Sequence, residues 1–321
     1  MSNQTRSRKI RRKRKLYLSL CMAAVMIIAA AILFLNITNL IPEQLASASP
    51  AADKHTNPTI DLTSLYSSNV ILIDVNSGDT LAEKSSTERI YPASLTKIMT
   101  ALLAAEHTAD LNQLYPMPPD IYSALYVQNA SMAGFLPGEE VPLRDLLYGI
   151  LLPSGAECCL AFAGQIAGSE AAFVEMMNQK AAELGMSDTH FCNSTGLHEA
   201  DHYSTVKDLS VLVRYALSNE AFRTAFICRH YTTTSTAEHP EGFTLNSTLF
   251  NNLTSSAVNG GEFLGGKTGY TQEAQLCLAS LASIGGSEYI LVTAHAEGSQ
   301  QTEPFHVWDA VNVYNQIEST Y

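Results

Sequence analysis

The amino-acid sequence predicts an α+β fold, in which helices flank an antiparallel sheet and form a helical subdomain. Three features predict this fold: a β-branched run near the start of the folded part, helical periodicity in the middle, and short strand-like runs near the end. That order fits an antiparallel sheet in which an early hairpin pairs with the late strands. With 321 residues, of which 46% are hydrophobic, the chain can bury the core that such a fold requires.

The first predicted elements are a β-hairpin and a helix. Residues 69–75 form a β-branched strand, residues 76–79 carry turn-forming side chains, and residues 80–82 resume as the partner strand. A helix is predicted to begin near Ala93, because a long apolar run follows it.

The middle of the chain is predicted to be helical, and the last part is predicted to consist of strands and a closing helix. Apolar residues recur every three or four positions in the predicted middle helices, at 143–152, 157–166, 170–184 and 206–217. Turns rich in Gly and Ser separate the predicted late strands at 261–267, 275–283 and 288–294, and the closing helix is predicted at 303–317.

The N-terminal part of the chain is predicted to cross a membrane once. Residues 16–35 are twenty residues without a charge, long enough as a helix to span a hydrocarbon core of roughly 30 Å. Basic residues precede this segment, which places the N-terminus inside the cell and the main domain outside. The predicted organisation is a cytoplasmic basic tail (1–15), a transmembrane signal-anchor (16–40), a linker (41–61) and a folded domain (62–321).

The alternative to an uncleaved anchor is a signal peptide. The sequence Ala46-Ser47-Ala48 resembles a signal-peptidase site, although it lies well beyond the end of the apolar run. Cleavage there would release a secreted or wall-associated domain.

The charge of the chain is unevenly distributed. The formal net charge is -12, yet eight of the 19 basic residues precede the apolar segment. The remainder carries eleven basic and 31 acidic residues. A domain this acidic is not expected to bind nucleic acid.

The cysteines are predicted to be mainly small buried hydrophobic residues. The chain has six, one in the apolar segment and five in the folded domain, and none of them forms a C-x-x-C pair. One disulfide among the five remains an alternative.

The sequence S-L-T-K at residues 94–97 suggests a catalytic pair. Ser94 and Lys97 are three positions apart, which places both side chains on one face of a helix. A serine hydroxyl needs a neighbouring base to become a nucleophile, and a lysine is such a base when burial or a second cation keeps its amine neutral. Two later motifs are each common outside active sites: Ser154, at a predicted helix start, is by itself typical of a helix N-cap, and Lys-Thr-Gly at 267–269 is by itself typical of a turn.

Taken in order, the three motifs resemble the penicillin-recognising serine enzymes, whose S-x-x-K, S-x-N and K-T-G elements converge on one cleft. The stretches 92–100, 189–197 and 266–271 further resemble the D-alanyl-D-alanine carboxypeptidases. The resemblance spans roughly residues 62–294. It implies a β-lactamase/transpeptidase-like fold and a serine peptidase that removes the terminal D-alanine from peptidoglycan stem peptides.

The resemblance implies catalytic roles for Ser94, Lys97 and Ser154, and substrate-binding roles for Lys267, Thr268, Gly269 and Tyr270. Ser94 would be acylated with Lys97 as its base, and Ser154 would relay a proton to the leaving D-alanine. Lys267 and Thr268 would bind the terminal carboxylate, and the backbone N–H groups of Ser94 and Tyr270 would stabilise the oxyanion.

The resemblance also implies the partners of the chain. They are a peptidoglycan pentapeptide ending in D-Ala-D-Ala as substrate and β-lactams as inhibitors, with no metal or other cofactor. With the predicted membrane segment, this indicates a domain on the outer face of a bacterial cell membrane, active in peptidoglycan synthesis, cell wall biogenesis and cell shape.

Two positions depart from the pattern of the family. Ala156 stands where the second motif usually has Asn, and Glu157 follows it where Asp is common. The missing amide would contact both the substrate and the catalytic lysine, and losing one such donor typically lowers turnover by ~10². A catalytically weak penicillin-binding or regulatory protein is therefore the alternative function.

Two other enzyme classes fit the sequence less well. Residues 198–202 match the zinc motif H-E-x-x-H, but that motif needs a helix, and this stretch lies between turn-forming residues. A β-lactamase of the same superfamily would need a deacylating glutamate, and the middle region has no E-x-x-L-N element.

Overall fold

The structure is a computed structural model that describes residues 60–317. The predicted basic tail (1–15), the transmembrane segment (16–40) and all but the last two residues of the linker (41–61) lie outside the described residues. Within 60–317, no helix is both long and apolar enough to cross a membrane.

The strands of the described domain are β1 (Ser67–Asp74), β2 (Thr80–Lys84), β3 (Leu114–Pro116), β4 (Glu140–Pro142), β5 (His230–Thr232), β6 (Thr244–Asn246), β7 (Ala257–Val258), β8 (Gly261–Thr271), β9 (Gln275–Ile284) and β10 (Ser287–Ala296). The α-helices are α1 (Lys97–His107), α2 (Tyr122–Val127), α3 (Leu143–Leu151), α4 (Ala156–Ala167), α5 (Glu170–Glu183), α6 (Val206–Ala216), α7 (Glu220–Phe226), α8 (Thr248–Asn252) and α9 (Phe305–Asn315). Short 3-10 helices cover Ala93–Thr96 and Pro119–Ile121.

The main sheet has six antiparallel strands in the order β2-β1-β10-β9-β8-β7. Strand β1 pairs with β2 on one side and with β10 on the other, so that Ile71 lies opposite Val292. The early hairpin therefore pairs with the late strands, and the predicted α+β fold with an antiparallel sheet is confirmed.

The sheet is buried on both faces because helices pack on each of them, and successive side chains of a strand point to opposite faces. In β1, Ile71 and Ile73 pack into a large cluster with the middle helices, whereas Val70 and Leu72 pack with α9 on the other face. This two-sided burial explains why the strand reads as a continuous apolar run rather than an alternating one.

The predicted elements with strong periodicity match the observed ones closely, as in α6, where residues 206–217 were expected and Val206–Ala216 is found. The sequence did not predict the shortest elements, which are β3 to β7, α2, α7 and α8. Their two to seven residues are too few for a period to emerge.

The described cysteines are free thiols. Cys158, Cys159 and Cys277 are buried, and Cys192 and Cys228 are partly buried. The interpretation as small hydrophobic residues holds for the buried three, and the alternative of a disulfide finds no bonded pair within residues 60–317.

Candidate active site

The nucleophile motif lies on a tight turn that continues into α1. Ala93 has a positive φ of 46°, which turns the chain sharply before Ser94. Residues Ala93–Thr96 then form a 3-10 helix, where an α-helix was predicted. Since side chains three apart align in a 3-10 turn, Lys97 Nζ lies 3.1 Å from Ser94 Oγ.

The environment of Lys97 favours its neutral form. Only 3% of the residue is exposed, and Nζ also donates to the carbonyl oxygen of Thr195 at 2.7 Å. Burial lowers the pKa of the amine, and the carboxylate of Glu157 acts in the opposite direction. A lower pKa makes the neutral amine, which is the form that can accept the proton of a neighbouring hydroxyl, easier to reach.

The segment that supports Lys97 requires a glycine. Gly196 has a φ of +79°, and a Cβ at this position would lie 1.9 Å from the carbonyl oxygen of Ala93. The absence of a side chain lets residues 195–196 pass directly beneath the nucleophile turn.

Strand β8 passes along the other side of the nucleophile turn. A Cβ on Gly269 would lie 3.2 Å from the backbone nitrogen of Ser94, so the two backbones are nearly in contact. Lys267 is completely buried, and its Nζ donates to the carbonyl oxygen of Thr268 at 2.7 Å. Burial, and then the charge of Lys97, lower the pKa of Lys267.

Five of the seven predicted site residues line one cleft with a volume of about 310 Å³, namely Ser94, Ser154, Thr268, Gly269 and Tyr270. The other two, Lys97 and Lys267, do not line the cleft. They are buried and contact the lining residues Ser94 and Thr268.

Ser154 reaches the cleft from a second strained turn. Its φ is +71°, an uncommon value for a residue with a side chain. The residue is 95% buried, and its Oγ has no hydrogen-bond partner among the described residues. Ala156 follows at the start of α4 and is also buried, so no side-chain amide meets Ser154 from this position.

The cleft contains residues that the sequence did not point to, among them Ser131, Thr248 and His306. Thr248 Oγ1 lies 2.6 Å from Thr268 Oγ1. His306 is 96% buried, Nδ1 has no partner within 60–317, and burial lowers the pKa of the ring to about 4. These residues come from a loop, a five-residue helix and the closing helix, and no sequence motif marks them.

The H-E-x-x-H stretch does not form the helix that a zinc site of this type requires. Residues 198–202 form a loop with a turn. Cys192 N donates to His202 Nδ1 at 3.1 Å, which leaves the proton on Nε2, 2.8 Å from Thr96 Oγ1. Both ring nitrogens of His202 are thus engaged in hydrogen bonds, one of them to the nucleophile turn, and the expectation that this stretch is not helical is confirmed.

Comparison with known proteins finds a family model and relatives that share one description, D-alanyl-D-alanine carboxypeptidase. The sequence model of the D-alanyl-D-alanine carboxypeptidase family matches residues 53–298. The D-alanyl-D-alanine carboxypeptidase DacF of Bacillus subtilis (strain 168) is 38% identical over 227 residues, which are 69% of this chain and 55% of the relative. The D-alanyl-D-alanine carboxypeptidase of Streptomyces sp. (strain K15) is 31% identical over 242 residues, 73% of this chain and 81% of the relative.

The fold has a solved counterpart. The structure of a single-residue variant of the Streptomyces K15 DD-transpeptidase superposes with a TM-score of 0.70 at 29% identity, covering 79% of this chain and 98% of that one. The match to DacF, in contrast, spans just over half of that relative's length.

Proposed function

The chain belongs to the D-alanyl-D-alanine carboxypeptidase family, and from this premise we propose that it is a serine peptidase that removes the C-terminal D-alanine from peptidoglycan stem peptides. The observation that carries the proposal is the 3.1 Å contact between Ser94 Oγ and the buried amine of Lys97, at the wall of a cleft. A hydroxyl with a buried amine as its base is suited to acyl transfer.

In the proposed reaction, Lys97 takes the proton of Ser94, and Ser94 Oγ attacks the carbonyl carbon of the penultimate D-alanine. The backbone N–H groups of Ser94 and Tyr270 stabilise the oxyanion. The C–N bond then breaks, and Ser154 gives its proton to the departing amine while it takes the proton held by Lys97. Water hydrolyses the resulting ester and restores Ser94.

The terminal carboxylate of the substrate is proposed to bind where Thr248 and Thr268 line the cleft. Thr248 and Thr268 place two hydroxyl oxygens 2.6 Å apart there. Lys267 is buried behind Thr268, so it would act on the carboxylate through its charge rather than by direct contact. β-lactams, which resemble the D-Ala-D-Ala end, would acylate Ser94 in the same cleft.

The alternative, a catalytically weak penicillin-binding protein, rests on Ala156 alone. The buried methyl group of Ala156 lacks the amide that the family usually has there. The Bacillus and Streptomyces relatives described above by sequence are both named carboxypeptidases, and no feature of the described residues other than Ala156 favours the weak binder.

We also propose that residues 16–40 anchor the domain to the outer face of a bacterial cell membrane, where it would act in wall biogenesis and cell shape. The support is the uncharged run of twenty residues behind a basic tail. Fractionation of cells that express the full chain tests this: recovery of the protein in the wash-resistant membrane fraction is expected, and recovery only in the medium would indicate cleavage.

The enzymatic proposal is tested with two readouts on the full chain. D-alanine release from a peptide ending in D-Ala-D-Ala and labelling by a fluorescent penicillin are both expected, and Ser94→Ala should abolish both. Ser187→Ala, which changes an exposed serine away from the cleft, is the matched control and should change neither. Absence of labelling would overturn the proposal, and labelling without D-alanine release would favour the weak binder.

A further inference from the structure

The carboxylate of Glu157 holds the loop at residues 131–134, here called the wall, whose residue Ser131 lines the cleft. Glu157 is completely buried, and Oε1 accepts hydrogen bonds from the backbone nitrogens of Ala133 at 2.6 Å and Gly134 at 2.9 Å. A charged acceptor makes stronger bonds to backbone N–H groups than a neutral one.

A third bond joins the same loop to the start of α4. The backbone nitrogen of Ala156 donates to the carbonyl oxygen of Ser131 at 2.8 Å. Ser131 is an exposed residue that lines the cleft. Residues 131–134 belong to no helix or strand, so these three bonds fix the wall where regular secondary structure does not.

The wall and the Ser154 turn are packed without space between them. A Cβ on Gly155 would lie 2.7 Å from the Cβ of Ala133 and 3.0 Å from Glu157 Oε2. A shift of the loop would therefore open a gap beside Ser154.

Only one of the two carboxylate oxygens of Glu157 accepts these bonds. Oε2 is buried and has no hydrogen-bond partner among the described residues. Burial raises the pKa of the carboxyl, while the bonds from the backbone nitrogens lower it. A buried carboxylate with one unpartnered oxygen is costly, which indicates that its position serves more than packing.

We propose that Glu157 is a positioning residue: it fixes the wall at residues 131–134 so that the Ser131 hydroxyl contacts the substrate on the same side of the cleft as Ser154. The inference rests on the proposed function, since it assumes a peptide substrate in this cleft. It assigns Ser131 as a substrate contact and Glu157 as the group that sets its position.

The test compares three forms of the full chain: the natural protein, Glu157→Gln and Glu157→Ala. Glutamine keeps an oxygen that can accept both N–H bonds, whereas alanine removes the acceptor. Glu157→Ala is expected to raise KM for D-alanine release roughly tenfold, with a smaller change in kcat, and Glu157→Gln is expected to recover most of the loss.

Hydrogen exchange at the amides of Ala133 and Gly134 is the second readout. Exchange should be faster in Glu157→Ala than in the natural protein and near-natural in Glu157→Gln. If Glu157→Ala does not fold, Glu157→Gln still tests the proposal, because near-natural exchange protection and KM are expected of it and a clear loss of either would overturn the proposal.

A folded Glu157→Ala variant with unchanged KM would overturn the proposal. So would a Glu157→Gln variant as impaired as alanine, which would indicate that the charge acts on Lys97 rather than on the wall. Penicillin labelling of Ser94 in the natural protein is measured alongside, so failure of the proposed function is distinguished from failure of this inference.

Discussion

The two turns that carry Ser94 and Ser154 into the cleft differ in the hydrogen-bond partners of their serine hydroxyls. Both have a residue with positive φ, Ala93 at +46° and Ser154 at +71°. Ser94 has a buried amine at 3.1 Å, whereas Ser154 Oγ has no partner within residues 60–317. In the proposed reaction, acylation would therefore use a serine with its base in contact, whereas departure of the leaving group would use a serine that lacks an amide neighbour, because Ala156 stands at that position.

The largest effect is expected when the base proposed for Ser94, Lys97, is removed. Lys97→Met should lower the rate of Ser94 acylation by a fluorescent penicillin about 10³-fold, because the hydroxyl loses the group that takes its proton. Lys207→Met, which changes an exposed lysine, should leave that rate unchanged. A loss smaller than tenfold would contradict the role of Lys97 as the base for Ser94, and with it the difference between the two turns.

The second turn is tested by Ser154→Ala. We expect kcat for D-alanine release to fall about 10²-fold, since the departing amine loses its proton donor. Penicillin acylation should fall less than D-alanine release, as a β-lactam retains its leaving group. Equal losses in both assays would contradict a role for Ser154 in leaving-group departure.

Ala156→Asn tests whether a side-chain amide near Ser154 increases activity. Restoring the amide should raise D-alanine release by about tenfold, less than the full effect of a preorganised donor because the surrounding helix is packed for a methyl group. Ala182→Asn, at an exposed position of α5, is the control and should have no effect. An unchanged rate would mean that the natural chain has no deficit at this position.

The smallest expected effect concerns stability rather than catalysis, and it is a loss of stability in acid. Burial lowers the pKa of both His202 and His306 to about 4, so the folded protein binds fewer protons than the unfolded chain between pH 6.5 and 4. The free energy of unfolding should fall as pH drops through that window, by at most about 3 kcal/mol for each histidine.

Urea titrations at pH 7 and pH 4.5 measure this loss. His202→Gln should remove part of it, whereas His107→Gln, at an exposed position, should not. A loss that is the same in all three proteins would rule out His202 as a source of the acid sensitivity.

The parts of the site that sequence could predict are those with local patterns. Ser94 and Lys97 are linked by spacing alone, and β1 is marked by its β-branched run, so both were placed correctly. Thr248 and His306 enter the cleft through tertiary packing of distant segments, which no local pattern encodes. Glu157 was visible only as a departure from the family, because its burial and its bonds depend on where the loop at 131–134 lies.

The membership of β1 in the sheet has a consequence for biosynthesis. Ile71 pairs with Val292, more than two hundred positions later in the chain. During translation, β1 lacks this neighbour until residues 287–296 have been made, so the sheet is completed late, and pairing over such a long sequence separation is slow. A product terminated before Ser287 would retain the complete S-x-x-K and K-T-G motifs and still leave β1 and β9 with unpaired edges, prone to aggregation.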